Sequence, residues 1–370
     1  MLRSNTLRQP RMRVLANGVI VGQIVSAAIH SNNHYAADRF RLTIAPDTMS
    51  APAWCATSDC FLDIQMSLDA GARWTSLVQG EVDVIEYDTI GGKLQLSGRD
   101  LTAALIEART HEAFTNLTSS EIAETLAGRH NLTPDVVATS TLVGRYWQIE
   151  HDRVTLDQFS TTTTEWDLLV TLAQHEGYDV WISGTTLHFR PAQDDSAAIP
   201  ILRTIATRDG PANVISARLE RSLTLARDIV VEVKSWNSRQ QKAFIQTAQI
   251  QPQRGASKRP PRHYVFVVPN LTPDAALKLA QQKLAELTKR ERVISIEMPG
   301  NIDLRPRMQV QLAGTGTEFD QVYWIDEIDR RLDFASGFTQ RLRASNSNVT
   351  SQTTSPADRI GNPWTGFSTL

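Results

Sequence analysis

The sequence predicts a β-rich α+β fold in which two strand-rich stretches flank a mixed one. Three observations carry this. Residues 12–98 hold short alternating strands divided by turn signals, with no long helix; strands at that spacing imply a barrel or sandwich. Residues 108–192 hold two capped amphipathic helices and a hairpin. From 198 to 344 the strands return around one clear helix. At 370 residues the chain is long for a single core, which suggests about two or three domains. The division expected is a first β domain at 1–107, a small α+β domain at 108–197, a second β domain at 198–344 with a helix at 273–291, and an extended tail at 345–370.

In the first stretch, Asn17-Gly18 between apolar flanks marks a hairpin, because both turn positions need positive φ. Phe40, Leu42 and Ile44 alternate with Arg39, Arg41 and Thr43, and Leu62, Ile64 and Met66 alternate with polar neighbours, so each run reads as a half-buried strand. Val82 and Val84 read as one face, opposite Asp83 and Ile85. Gly91-Gly92 turns the chain into Lys93–Leu96, and Asp100 is placed to cap a short helix ending at Glu107.

In the middle stretch, Thr118 and Glu121 have capping-box spacing, and Ile122 and Leu126 share the face of the helix they start. A second helix begins near Thr164, carries Trp166, Leu169, Val170 and Ala173 at helical spacing, and ends at Gly177. Tyr178–Ile182 and Thr186–Phe189 then pair around Ser183-Gly184. In the last stretch, Ile229, Val231 and Val233 alternate with Val230, Glu232 and Lys234. Thr272-Pro273 opens a helix with an apolar stripe at Leu277, Ala280, Leu284 and Leu287. Strands at 293–298, 308–312, 322–332 and 338–342 close that stretch.

Composition narrows function. The net charge is −2, so no global basic field points to nucleic acid. Arg3, Arg8, Arg11 and Arg13 precede the first acid and read as a solvated end. Two cysteines, Cys55 and Cys60, are too few for a disulfide framework or a zinc site; Cys60 is in phase with Leu62 and Ile64 and reads as a core thiol, a local disulfide being the alternative. The apolar run 14–29 is interrupted and too short to span a bilayer, and no export signal is visible, so no membrane anchor is expected.

Catalytic signatures are absent. His175-Glu176 lacks the second histidine of a zinc-protease helix, no G-x-S-x-G occurs, and Gly314-Thr315-Gly316-Thr317 reads as a hairpin loop. Glu150 and Asp152 beside His151 read as a solvated strand. Most tryptophans, Trp236 among them, sit in phase with apolar neighbours and read as core. No catalytic, cofactor or metal residue is assigned. Two groups are candidates for contact. Arg254, Lys258, Arg259 and Arg262 form a basic loop suited to a channel or an acidic partner. Ile360, Trp364, Phe367 and Leu370 give the Ser/Thr-rich tail its apolar positions, and Gly361, Pro363 and Gly366 exclude a helix there, so an extended docking segment is expected.

The order of motifs from Asn301 to Ala344 is the most specific signal. Leu304-Arg305-Pro306 leads into Met308-Val310-Leu312, a Gly/Thr loop, Gln321-Val322-Tyr323-Trp324-Ile325, and Gly337-Phe338-Thr339-Gln340-Arg341-Leu342. Earlier come Ser97-Gly98-Arg99-Asp100-Leu101-Thr102-Ala103-Ala104-Leu105-Ile106 and Thr164-Glu165-Trp166-Asp167-Leu168-Leu169 with Gly177-Tyr178. Together these resemble the phage baseplate hub proteins of the late control protein D family, which includes Mu-type tail hubs. One position departs: the family has glycine after the proline where this chain has Arg307, so that turn is expected to differ.

The resemblance implies two tube-type antiparallel β-barrels with an intervening α+β domain. It implies a structural role without enzymatic activity or cofactor: a homotrimeric, pseudo-sixfold ring joining a hexameric tail tube to a trimeric central spike. Tube or tube-initiator proteins, the spike and other baseplate proteins would be partners, and DNA would pass through the channel. The location implied is the virion tail baseplate, assembled in the bacterial cytoplasm. The competing readings are a tail-associated cell-wall hydrolase and a carbohydrate-binding module.

Overall fold

The computed structural model describes residues 8–47, 50–109, 114, 116–140, 142–143, 164–191, 199–206, 210–223, 229–237, 242–249, 262–268, 271–288, 290–333 and 335–346. The first third contains β1 (Arg11–Ala16), β2 (Val19–Val21), β3 (Ile24–Asn32), β4 (Arg39–Ile44), α1 (Ala51–Ala56), β5 (Phe61–Ser67), β6 (Thr75–Asp88), β7 (Lys93–Asp100) and α2 (Thr102–Glu107). Asn17 and Gly18 both take positive φ, 47° and 83°, and close the predicted hairpin. The alternating runs of β4 and β5 bury Phe40, Leu42, Ile44, Leu62, Ile64 and Met66. Val84 departs from its expected phase and is 57% exposed. The cause is a β-bulge: Val82 pairs with Gly98 and Val84 with Ser97, so Asp83 is the extra residue and the alternation flips beyond it.

The middle stretch contains β8 (Leu117–Thr118), α3 (Ser119–Arg129), β9 (Thr133–Val136), β10 (Leu142–Val143), α4 (Glu165–Glu176), β11 (Tyr178–Ser183) and β12 (Thr186–Pro191). The capping box at Thr118 and Glu121 forms as read, and Gly177 caps α4 in the left-handed region at φ 72°. The two helices are pinned at both ends. Ser119 Oγ donates to Glu176 Oε1 (2.8 Å) at one end, and Glu165 accepts from Arg129 and His130 at the other. Glu165 is almost fully buried, so this ion pair sits at the edge of a core that includes Leu126, Leu169 and Phe189.

The last stretch contains β13 (Ile201–Arg203), β14 (Ser216–Arg221), β15 (Ile229–Asn237), β16 (Lys242–Gln249), β17 (Arg262–Val267), α5 (Pro273–Thr288), β18 (Arg292–Pro299), β19 (Gln309–Ala313), β20 (Val322–Asp333) and β21 (Gly337–Ser345). Helix α5 stops at Thr288, short of the expected 291, because Arg292 already belongs to β18 and pairs with Arg221 of β14. Its buried stripe is Ala276, Ala280 and Leu284, whereas Leu277 stands one position off that face and is exposed. Strands β15–β17 form their own three-stranded sheet, with α5 on one face. Trp236, expected in the core, lies on the other face and is 51% exposed. The cysteines are free, Cys60 buried and Cys55 exposed.

The two β-rich stretches have the same strand order. In the first, the pairing runs β1-β5-β6-β7-β4-β3; in the last, β13-β19-β20-β21-β18-β14. They differ in that β1–β5 is antiparallel and β13–β19 parallel. They differ also in the connection between the last two strands of the order: 33–38 between β3 and β4, but 222–291, with β15–β17 and α5, between β14 and β18. The long strands β6 and β20 each carry a bulge at an aspartate, Asp83 and Asp326. In each unit the strands at opposite ends of the order feed one apolar core: Val14 and Ile29 in the first, Leu202 and Leu219 in the last. Each sheet therefore curls around its own interior. The two are joined by antiparallel pairing of β3 with β20, from Asn32↔Glu327 to Ser26↔Asp333, which makes one 13-stranded sheet.

Candidate assembly site

The β3–β20 seam is where the two β units meet. His30 Nδ1 lies 2.7 Å from Asp329 Oδ1 and His34 Nε2 lies 3.0 Å from Glu327 Oε1 across it. Beneath, charge is buried. Asp38 accepts from the amide of Asn32 at 2.9 Å, and Asp100 accepts from the amide and hydroxyl of Thr102, supporting the start of α2. Burial pushes both carboxyls up, Asp100 to about 8, with the Asp38 charge adding to the effect. Burial likewise pushes Arg330 down to about 10, and its guanidinium donates to the carbonyl of Leu304. A carboxyl raised from its ordinary value contributes stability that is complete below that value and is lost as the pH rises through about 8. This contribution to the wild-type melting temperature should therefore be lost between about pH 4 and pH 8, and Asp100→Asn should flatten that decline, as read by differential scanning calorimetry.

The middle stretch docks on both β units. The indole N–H of Trp166 donates to the carbonyl of Tyr35 at 2.7 Å, in the β3–β4 connection. From the other side comes Arg307. The turn that departs from the family pattern holds Arg307 at φ 76°, the left-handed backbone that favours glycine. Its Nε donates to Asp179 Oδ2 at 2.7 Å, and its guanidinium lies 5.2 Å from the Trp181 ring centroid. Trp181 in turn stacks on His188 at 4.7 Å. An arginine at a glycine position is thus explained by what its side chain ties together.

Among the strand edges left open in the described residues, two match each other in the repeated order; β2 and β13 also have one neighbour each. β14 ends the sheet with one neighbour, β18. β6 is paired with β5 as far as Glu81, and the Val82 amide still donates to the Cys60 carbonyl, so on that side its second half, 83–88, has no strand beside it. This second half corresponds to the part of β20 that takes β3, and β14 corresponds to β3. Exposed apolar residues mark both: Val84 and Ile90 at β6, Ile215 and Leu223 at the ends of β14.

Of the candidate residues read from the sequence, Arg262 is exposed at the start of β17. Arg254, Lys258, Arg259, Ile360, Trp364, Phe367 and Leu370 lie outside the described residues, as do Glu150, His151 and Asp152. The Gly314–Thr317 segment is the β19–β20 connection; Asp320 accepts from the amides of Thr315 and Gly316 at 3.0 and 2.9 Å, occupying donors a phosphate would need. Arg13 is no solvated arm: it lies in β1, 4.5 Å from the Trp74 ring centroid. No cluster of three or more potential metal ligands occurs among the described residues, and no helix there is long and apolar enough to cross a membrane. The seam residues Asp38 and Arg330 went unread in the sequence, although Arg330, in phase with Ile328, was a charge at a core position.

No family model and no curated protein matches the sequence. Solved structures do match. A tail protein from Neisseria meningitidis is 18% identical with a TM-score of 0.67, over 91% of this chain and 96% of that one. The 43 kDa tail protein of prophage MuSo2 from Shewanella oneidensis is 17% identical with a TM-score of 0.65, over 91% and 98%. An E. coli component of the type VI secretion system, itself structurally similar to the T4 bacteriophage tail proteins gp27 and gp5, is 10% identical with a TM-score of 0.51, over 91% and 76%. The chain therefore has a phage tail protein fold, the β-rich α+β fold of these structures.

Proposed function

We propose that the chain is a structural baseplate hub of a phage or phage-like tail. Three copies close into a ring that joins a hexameric tube to a trimeric spike around a channel for DNA. The chain acts by shape and performs no catalysis. The observation that carries this is the repeated strand order, with β3 of one unit paired to β20 of the other. Repeating the same step between copies sets β14 of one chain against residues 83–88 of β6 in the next. Such a head-to-tail contact closes when the rotation allows, and it covers both open edges. Charge does not oppose the pairing: β14 carries Arg218, Glu220 and Arg221, the last paired within the chain to Glu291, and the β6 segment carries Glu86, Asp88 and Asp83, the last paired within the chain to Arg99.

Ser222 N donates to Glu291 O, so the strand alternation turns the amide of Ala217 away from β18. Ala217→Pro removes an outward donor and leaves the inward ladder intact. By light scattering, with the spike partner present, the wild type should be a trimer of its 41.2 kDa chain. Ala217→Pro should remain monomeric with a melting temperature within about 2 °C of wild type. A wild type that stays monomeric with tube and spike components, or a proline variant that still trimerises, overturns the reading.

A further inference from the structure

The β15–β17 sheet has one face covered by α5 and the other exposed beyond the buried Val230. Helix α5 packs on Val231 and Val233, while Trp236, Ile245, Val265 and Val267 are exposed on the opposite face, Val267 at 75%. These four form one patch. Val267 and Ile245 both stand opposite Lys234, one on each side, and Trp236 is the next residue on that face of β15. A cluster of large apolar side chains on one sheet face marks a contact surface.

We propose that this face is covered by the chain's own segment 360–370. The described chain ends at Asn346, whose amide donates to Arg292 O (3.0 Å) and whose Oδ1 accepts from Arg292 N (2.8 Å). Arg292 pairs with Arg221, and the connection from Arg221 leads to Ile229 at the start of β15. The described chain thus ends beside β18, the strand that follows α5, the helix packed on the small sheet, after three residues. Residues 347–359 span up to about 45 Å when extended, while nine-residue β15 is roughly 30 Å long, so the reach is sufficient. Segment 360–370 contains no charged residue and presents Ile360, Trp364, Phe367 and Leu370. An uncharged, aromatic segment is the chemistry that a patch of valine, isoleucine and tryptophan selects.

The test uses the full chain carrying Val267→Cys, with maleimide labelling followed peptide by peptide and Cys55 as the internal exposed reference. Labelling at position 267 should be slow and unaffected by dilution, and should accelerate at least about tenfold when Trp364→Ser and Phe367→Ser are added, with Cys55 unchanged. Labelling at the rate of Cys55 in the unaltered tail overturns the proposal. So does protection that the tail substitutions leave intact, since another surface then covers the face, and so does protection lost on dilution, which assigns the cover to a second copy.

Discussion

Gly98→Ala should destabilise the protein by more than about 4 kcal/mol. Gly98 lies between Phe40 on one side and Val82 on the other. A Cβ there would sit 2.0 Å from the carbonyl oxygen of Glu81 and 2.4 Å from the Phe40 ring. The nearer atom is backbone, held in the ladder beside the Asp83 bulge, so the strands themselves would have to part. The discriminating measurement is urea unfolding of Gly98→Ala in a Phe40→Leu background. The glycine substitution should cost as much there as in the wild type, because shrinking the ring leaves the carbonyl in place. Recovery in the double variant would show that the ring, and not strand approach, sets the requirement.

Glu165→Ala should remove about 3 kcal/mol, measured the same way. The carboxylate is 3% exposed and accepts from Arg129 and from His130 Nε2, the latter at 2.6 Å. Removing it leaves His130 without this acceptor and takes one charged partner from Arg129 at the end of α3. The effect stays at the lower end of the range for a broken buried pair because Arg129 is partly open to water and keeps some solvation. Near-UV circular dichroism should change with the loss, since Trp166 follows Glu165 directly and ties α4 to Tyr35.

Local features were legible in the sequence because their causes are local. The Asn17-Gly18 turn, the period-two burial of Phe40, Leu42 and Ile44, the Thr118–Glu121 box and the Gly177 cap each depend on residues within a few positions. Val84 was misread because a bulge resets the alternation, and no period reports a bulge. Trp236 was misread because its strand alternates correctly but only one face of its sheet has a cover among the described residues. The open edges of β14 and β6 could not be read at all. Which strand lies beside which is decided by pairings hundreds of residues apart, as between His30 and Asp329, and the matching strand orders carry no shared sequence pattern that betrays them. Arg307 was visible as a departure from the family motif, but its reason, Asp179 and Trp181, lies in another part of the chain.

The excursion at 222–291 occurs in one β unit and has no counterpart in the other. If the proposed ring forms, every second unit in it carries this excursion. A tube subunit approaching from above would meet six near-equal seats, whereas a component approaching the rim would meet three handles. One polypeptide would thereby present two different rotational periodicities, with no second gene product needed to convert between them.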